Sequence, residues 1–216
     1  MALETKSPPR PIYRIGRKPD PWLGPDWSRV SSDGTFGNRF DDPESYYRVL
    51  YASSQQVSCY IETLARFRPD LSLLAELREI SGEDDFFPAG QVPLDWTTNR
   101  LIGTASVDGN YASIYASEWI TFLRRKLATE CLRLGIRDLD TSVLQAGAPR
   151  QITQLASRVV YELGLPGICY PSRYGHDLEN WALFEPFHIQ HSVSNPIANE
   201  DPALIEALRI LGLKIH

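Results

Sequence analysis

The chain has 216 residues, of which 43% are hydrophobic and 23% charged, the composition of an ordinary globular domain with a sizeable core. A net charge of -5 and a pI near 5.4 argue against long-range steering towards nucleic acid. Met1 to Arg10 has no apolar core of a leader and no stretch reaches membrane-spanning length, so a soluble cytoplasmic protein is expected. Cys59, Cys131 and Cys169 are odd in number and far apart. No CxxC pair exists and no histidine stands at a zinc-ligand spacing from a cysteine, so they read as buried reduced thiols and no metal is expected.

In chain order, polar residues 1–10 with Pro8 and Pro9 read as a flexible tail, and 11–216 as a single domain. Pro11 to Ile15 alternates like a first strand, followed by a Pro- and Gly-broken loop in which Trp22 and Trp27 offer packing surface. Turn chemistry at Ser31-Ser32-Asp33-Gly34 leads into Phe36-Gly37-Asn38-Arg39-Phe40, and Tyr46 to Ala52 reads as a strand. Ser54 is the expected N-cap of a helix burying Val57, Tyr60, Ile61 and Leu64, ended by Pro69. A second short helix is expected from Asp70 to Ile80, then a loop from Gly82 and a short strand before Trp96. Another strand is expected over Arg100–Val107, ending at the Asp108-Gly109 turn.

Ser117 to Leu134 is the longest helical pattern, with Trp119, Leu123, Leu127, Cys131 and Leu134 on one side and Gly135 as its stop. Its Arg124-Arg125-Lys126 run reads as a solvated face, because Glu118 and Glu130 share the helix. Pro149 to Leu163 is a further amphipathic helix. Gly167–Pro171 and Asn180–Phe187 read as strands separated by a Ser172–Leu178 loop. A last helix starts at Asp201-Pro202, turns Leu204, Ile205, Leu208 and Leu211 inward, and stops at Gly212. Helices mixed with short strands joined by turns favour an α+β fold over a doubly wound one.

No G-x-S-x-G, Walker A or G-x-G-x-x-G motif is present, which removes the common nucleophile, P-loop and Rossmann chemistries. Read singly, the remaining polar positions have ordinary explanations. Arg39 after a glycine turn suits a surface residue, Tyr51 an ordinary strand residue, and Ser172 after Pro171 a turn. Glu62 and Arg66 stand four apart in the favourable order for a helical ion pair.

Taken together, Tyr13-Arg14-Ile15, Gly37-Asn38-Arg39-Phe40, Val49-Leu50-Tyr51-Ala52-Ser53, Ile61-Glu62, Gly167 to Arg173 and Ala182-Leu183-Phe184 resemble the RES domain family. That family is named for its arginine, glutamate and serine and includes the toxins of RES–Xre toxin–antitoxin pairs. The resemblance covers roughly residues 11 to 190 and is weak between Asp70 and Gly147, where the chain is expected to be longer than the compact toxins. It implies an ADP-ribosyltransferase-like α+β core that cleaves NAD, as substrate and sole small-molecule partner, at the nicotinamide–ribose bond. By motif, Arg39, Tyr51, Glu62 and Ser172 are the catalytic set, and Arg14, Arg39, Tyr51 and Ser172 hold NAD. In this scheme Glu62 steadies the cationic ribose and Arg39 with Arg14 grips the diphosphate. Tyr51 stacks on or hydrogen-bonds the nicotinamide, and Ser172 orients the amide or ribose. Water as acceptor makes a glycohydrolase, phosphate a phosphorylase, and a protein side chain a transferase. An inactive nucleotide- or partner-binding domain is the non-enzymatic alternative. A helix-turn-helix antitoxin of the Xre type is the implied protein partner, and a homo-oligomer is compatible with it.

Overall fold

A computed structural model describes residues 2–72 and 90–216. Its frame is an eight-stranded sheet in the order β1-β6-β7-β8-β3-β2-β5-β9. The strands are β1 (Thr5–Lys6), β2 (Ile12–Arg17), β3 (Val49–Ser53), β5 (Arg100–Val107), β6 (Tyr111–Ser113), β7 (Gly167–Ser172), β8 (Gly175–Phe184) and β9 (Ile189–Pro196). Only the β6–β7 pair is parallel; the other neighbours are antiparallel. A separate parallel pair joins β4 (Gly90–Val92) to β10 (Leu213–Ile215).

Strand register decides which side chains share a face. Val49, Tyr51 and Ser53 of β3 stand beside Phe184, Ala182 and Asn180 of β8, and Ile168 and Tyr170 of β7 continue the same face. Helices cover this face in two groups. At one end α3 (Ser117–Lys126), α4 (Ala128–Arg133), α5 (Thr141–Ala146) and α6 (Arg150–Glu162) pack Trp119, Leu123, Leu144, Ile152 and Val160 against it. At the other end α1 (Gln56–Leu64) and α7 (Pro202–Leu211) bring Tyr60, Ile61, Leu64, Leu204 and Ala207 together with Ile15 and Ile102. Among the described residues the opposite face, with Leu50, Trp181 and Leu183, is closed by Trp22 and Tyr111 rather than by a helix. A mostly antiparallel sheet with its helices gathered on one side is an α+β domain, as the sequence suggests. The short α2 (Asp95–Thr98) precedes β5.

Several local expectations are corrected. Residues 2–10 are not a free tail: β1 pairs with β6, Glu4 O accepts from Trp119 Nε1 at 2.6 Å, and Lys6 pairs with Glu179. The long helix over 117–134 is broken at Leu127, whose φ of -105° and ψ of 15° end α3. Apolar residues spaced four apart drift by about 40° per step around a helix of 3.6 residues per turn. A straight helix would therefore carry Cys131 away from the core that Trp119 and Leu123 enter, and the bend re-aims it. Ser54 does not cap α1. The cap is Gln55, without a side-chain bond, while Ser54 Oγ donates to Glu179 and accepts from Trp181.

The Ser172–Leu178 loop contracts to a tight turn at Arg173-Tyr174, because Ser172 Oγ accepts from Tyr174 N and β8 begins at Gly175. Strand β9 lacks apolar alternation, being an edge strand exposed along nearly its whole length. In α7 Ala207 turns inward where Ile205 was expected, and Ile205 is 53% exposed. Trp22 is buried, whereas Trp27 lies outside against Phe36 and under Arg48. The strand expected before Trp96 is β4. The helix expected at Asp70–Ile80 falls, from residue 73 onward, outside the described residues, as does the loop up to residue 89. All three cysteines are free and buried, and no described helix is long and apolar enough to cross a membrane.

One glycine controls how closely β7 meets β8. Gly167 has φ +153°, and a Cβ there would lie 2.0 Å from Ala182 O and 2.9 Å from the Tyr111 ring. Gly167→Ala is expected to destabilise the fold by at least ~2 kcal/mol, combining backbone strain with overpacking. An unchanged urea unfolding midpoint would contradict that packing.

Candidate active site

The two helical groups leave a cleft between them on the shared face of the sheet, a cavity of about 450 Å³ within the range of small-molecule sites. Its first wall is the loop before β3. Asp41, 3% exposed, accepts from Asn38 N at 2.7 Å, from Asn38 Nδ2 and from the Tyr51 hydroxyl at 3.1 Å. Tyr51 Oη in turn accepts from Phe40 N at 3.0 Å, and Phe40 itself is buried in the core. Burial raises the Asp41 carboxyl above its usual value, against the pull of these donors.

With both neighbours pinned, Arg39 projects into the cleft. Its guanidinium lies 4.7 Å from the centroid of the Tyr170 ring, and Nη1 donates to Gln145 O at 3.1 Å. Close approach explains Gly147: a Cβ there, at φ +60°, would meet Arg39 Cδ at 2.9 Å. Burial opposes the Arg39 charge, but Tyr170, Tyr115 and Glu62 more than offset it.

Arg14 enters through a split in the sheet. Strands β2 and β3 pair only at Tyr13↔Ser53, so the register that would bring Ile15 opposite Tyr51 is not continued. Instead Arg14 Nη1 donates to Tyr51 O and Nε to Pro21 O, each at 2.6 Å. Burial pushes this guanidinium down to about 10, which still leaves it charged at neutral pH.

The facing wall is α1. Ser58 and Glu62, one turn apart, point to β8. Glu62 Oε1 accepts from Ser172 Oγ at 2.6 Å and from Asn180 Nδ2 at 2.8 Å. Glu62 makes no ion pair with Arg66 among the described residues, so the surface-pair explanation does not describe its geometry. No hydrogen bond to Oε2 is found among the described residues, and the side chain is exposed towards the cavity.

The structure thus brings Arg14, Arg39, Tyr51 and Glu62 to one cavity. Ser172, fully buried, sits behind Glu62 rather than in the cavity, with its hydroxyl bonded to that carboxylate and to Tyr174 N. The Tyr51 hydroxyl is likewise engaged with Asp41 and Phe40, leaving its ring to line the cleft. Motif reading missed Arg66, Arg150 and Arg173 on the cavity walls, Tyr170 under Arg39, and Asn180. Strand alternation alone places Tyr170 and Asn180 on the face of Tyr51, a signal the sequence carries once the register is known.

Electrostatically the cavity is lopsided. Five arginines and one carboxylate line it, and none of the five is in an ion pair among the described residues. Arg158, by contrast, is surrounded by Asp42, Glu44 and Glu162. Arg14 and Arg39 are half-buried and the other three exposed; half-buried cations outside any ion pair favour an anionic ligand, and planar guanidinium forks suit phosphate oxygens. A carboxylate opposite them can stabilise a positive centre on the same ligand.

The comparisons agree with this architecture. A chain of the crystal structure of the M. tuberculosis MbcT–MbcA toxin–antitoxin complex has a similar fold, with a TM-score of 0.54 at 15% identity, covering 95% of this chain and 91% of that one. No curated protein sequence matches the chain. The family model of the RES domain matches residues 11–202, and the chain therefore belongs to the RES domain family.

Proposed function

We propose that this chain cleaves NAD at the nicotinamide–ribose bond. The observation that carries the reading is the meeting, in one cavity, of guanidiniums outside any ion pair among the described residues with a carboxylate that has one oxygen held and the other without a hydrogen bond among them. NAD carries both complementary features, an anionic diphosphate and a ribose that becomes cationic as its bond to nicotinamide breaks.

In this reading Arg39 and Arg14 hold the diphosphate, and the ribose lies against Glu62. The electron pair of the C1–N bond leaves with nicotinamide, whose ring nitrogen loses its positive charge. Positive charge builds on the ribose and Glu62 Oε2 stabilises it; because Ser172 and Asn180 already fix Oε1, little reorganisation is needed. An acceptor oxygen then bonds to C1. Water gives ADP-ribose and a released proton, and inorganic phosphate gives ADP-ribose 1-phosphate. Tyr51 contributes its ring to the cleft wall, and its hydroxyl keeps the Arg39 loop in place. Ser172 acts through Glu62. The toxin–antitoxin complex with a similar fold supports a toxin role restrained by a partner protein, and an antitoxin of the Xre type is the partner we propose.

Purified chain incubated with NAD is expected to release nicotinamide, with ADP-ribose accumulating in plain buffer or its phosphate ester when phosphate is the acceptor. Release of none under either condition would overturn the reading. Label transferred to protein in a lysate, with no free product, would favour a protein ADP-ribosyltransferase, and tight binding without turnover a nucleotide-binding domain. Glu62→Gln is expected to cut kcat about 100-fold or more, in line with other preorganised electrostatic groups. Arg39→Ala should raise KM as well as lower kcat, since the diphosphate is held in both ground and transition states. Arg66→Ala should leave the Glu62-dependent kcat in place, because no bond joins the two. A loss in Arg66→Ala equal to that of Glu62→Gln would restore the ion-pair explanation.

A further inference from the structure

Glu62 is exposed on a helix, and an exposed carboxylate on a flexible side chain has no reason to keep one orientation unless something holds it. Asn180 is 1% exposed and lies in the middle of β8, opposite Ser53 of β3 on one side and Tyr170 of β7 on the other. Its Oδ1 accepts from Ser53 Oγ and, at 3.0 Å, from Ser58 Oγ in the first turn of α1. Its Nδ2 donates to Glu62 Oε1 at 2.8 Å. The carboxylate settles which end of the amide faces which way: an ionised Glu62 only accepts, so the NH₂ end faces it, and Oδ1 is left to the two serine hydroxyls, which donate to it. The side chain therefore spans one turn of α1, from Ser58 to Glu62, and ties the helix face to the sheet.

We propose that Asn180 is a positioning residue for the reaction: its amide, oriented by Ser53 and Ser58, holds Glu62 by one oxygen and so presents the other to the ribose. The proposal rests on the NAD reading above for the reaction concerned, and on the geometry alone for the contact. Ser172 is the second donor to the same oxygen, and the two together leave Oε2 as the free one. Among the described residues, the groups electrostatically close to Glu62 are Arg39 from the loop, Cys59 from α1 and Tyr170 from β7. Arg66, Arg173 and Tyr174 line the same cavity. Burial pushes the Cys59 thiol up to about 12 and the Tyr170 phenol higher still. Neither changes charge between about pH 5 and 9.

Asn180→Asp is the discriminating variant. It keeps the oxygen that Ser53 and Ser58 bond, so the local fold has its acceptor, and replaces only the donor facing Glu62. Two carboxylates in contact share a proton at low pH, and the protonated one donates as the amide did; at higher pH they repel and Glu62 loses its setting. Turnover of the full chain with NAD should thus fall about 10- to 100-fold near pH 8 with KM little changed, the scale of a misplaced reacting group, and recover towards wild type near pH 5. Asn180→Leu should lose turnover at every pH. Wild-type turnover for Asn180→Asp near pH 8, or a loss of the same size at every pH, would overturn the proposal.

If the wild-type chain itself releases no nicotinamide, the NAD reading falls, and melting temperature against pH decides the contact. A carboxyl whose folded pKa is raised adds stability below that value and loses it as pH rises. The deficit of Asn180→Asp should therefore widen with pH and shrink when Glu62→Gln removes the second carboxylate. A deficit independent of pH, or unaffected by Glu62→Gln, would overturn the contact as well.

Discussion

Two guanidiniums held in a cleft without an ion-pair partner among the described residues are the constraint from which the rest of the site follows. Removing a cation from water costs free energy, and proteins normally offset that with a carboxylate. Here Arg14 bonds backbone carbonyls and Arg39 rests on an aromatic ring. Those contacts orient the charges without neutralising them. The nearby carboxylates are otherwise occupied: Asp41 is buried in the loop, and Glu62 is turned to Ser172 and Asn180. In the function we propose, the site seats an anion, and the carboxylate oxygen that Ser172 and Asn180 leave open meets positive charge.

That arrangement depends on the fold in three places. The sheet must split after Tyr13 for the Arg14 side chain to take the place of a ladder bond at Tyr51. The loop carrying Arg39 must be closed on itself, which the buried Asp41 and the Tyr51 hydroxyl accomplish. Helix α1 must lie against β8 at a fixed height, which Asn180 sets by bonding both Ser58 and Glu62. Rigid elements on both sides of the cleft hold charges in place better than loops could, and preorganised charges act without first having to be aligned.

Much of this was legible from the chain because it is local. The Gly37-Asn38-Arg39-Phe40 turn, the strand ending at Ser53 and the helix carrying Glu62 are contiguous and marked by glycine, alternation and helical period. What escaped sequence reading is what joins distant segments. Ser172 and Asn180 lie 110 and 118 residues from Glu62, so no spacing rule connects them, and their bonds to it appear only once β7 and β8 are in register beside α1. For the same reason the serine motif singles out Ser172 but carries no sign of its bond to Glu62. The break at Leu127 follows from packing against the sheet rather than from helix propensity. Strand β9 carries no period because neither of its sides is buried.

The most direct measurement is the crystal structure of the Glu62→Gln variant soaked with NAD, where slow turnover leaves the dinucleotide intact. The account predicts the diphosphate against Arg39 and Arg14 and the nicotinamide ribose against the side chain at position 62, on the side of its free atom. NAD bound with its diphosphate away from both arginines, or with its nicotinamide ribose turned away from position 62, would contradict it.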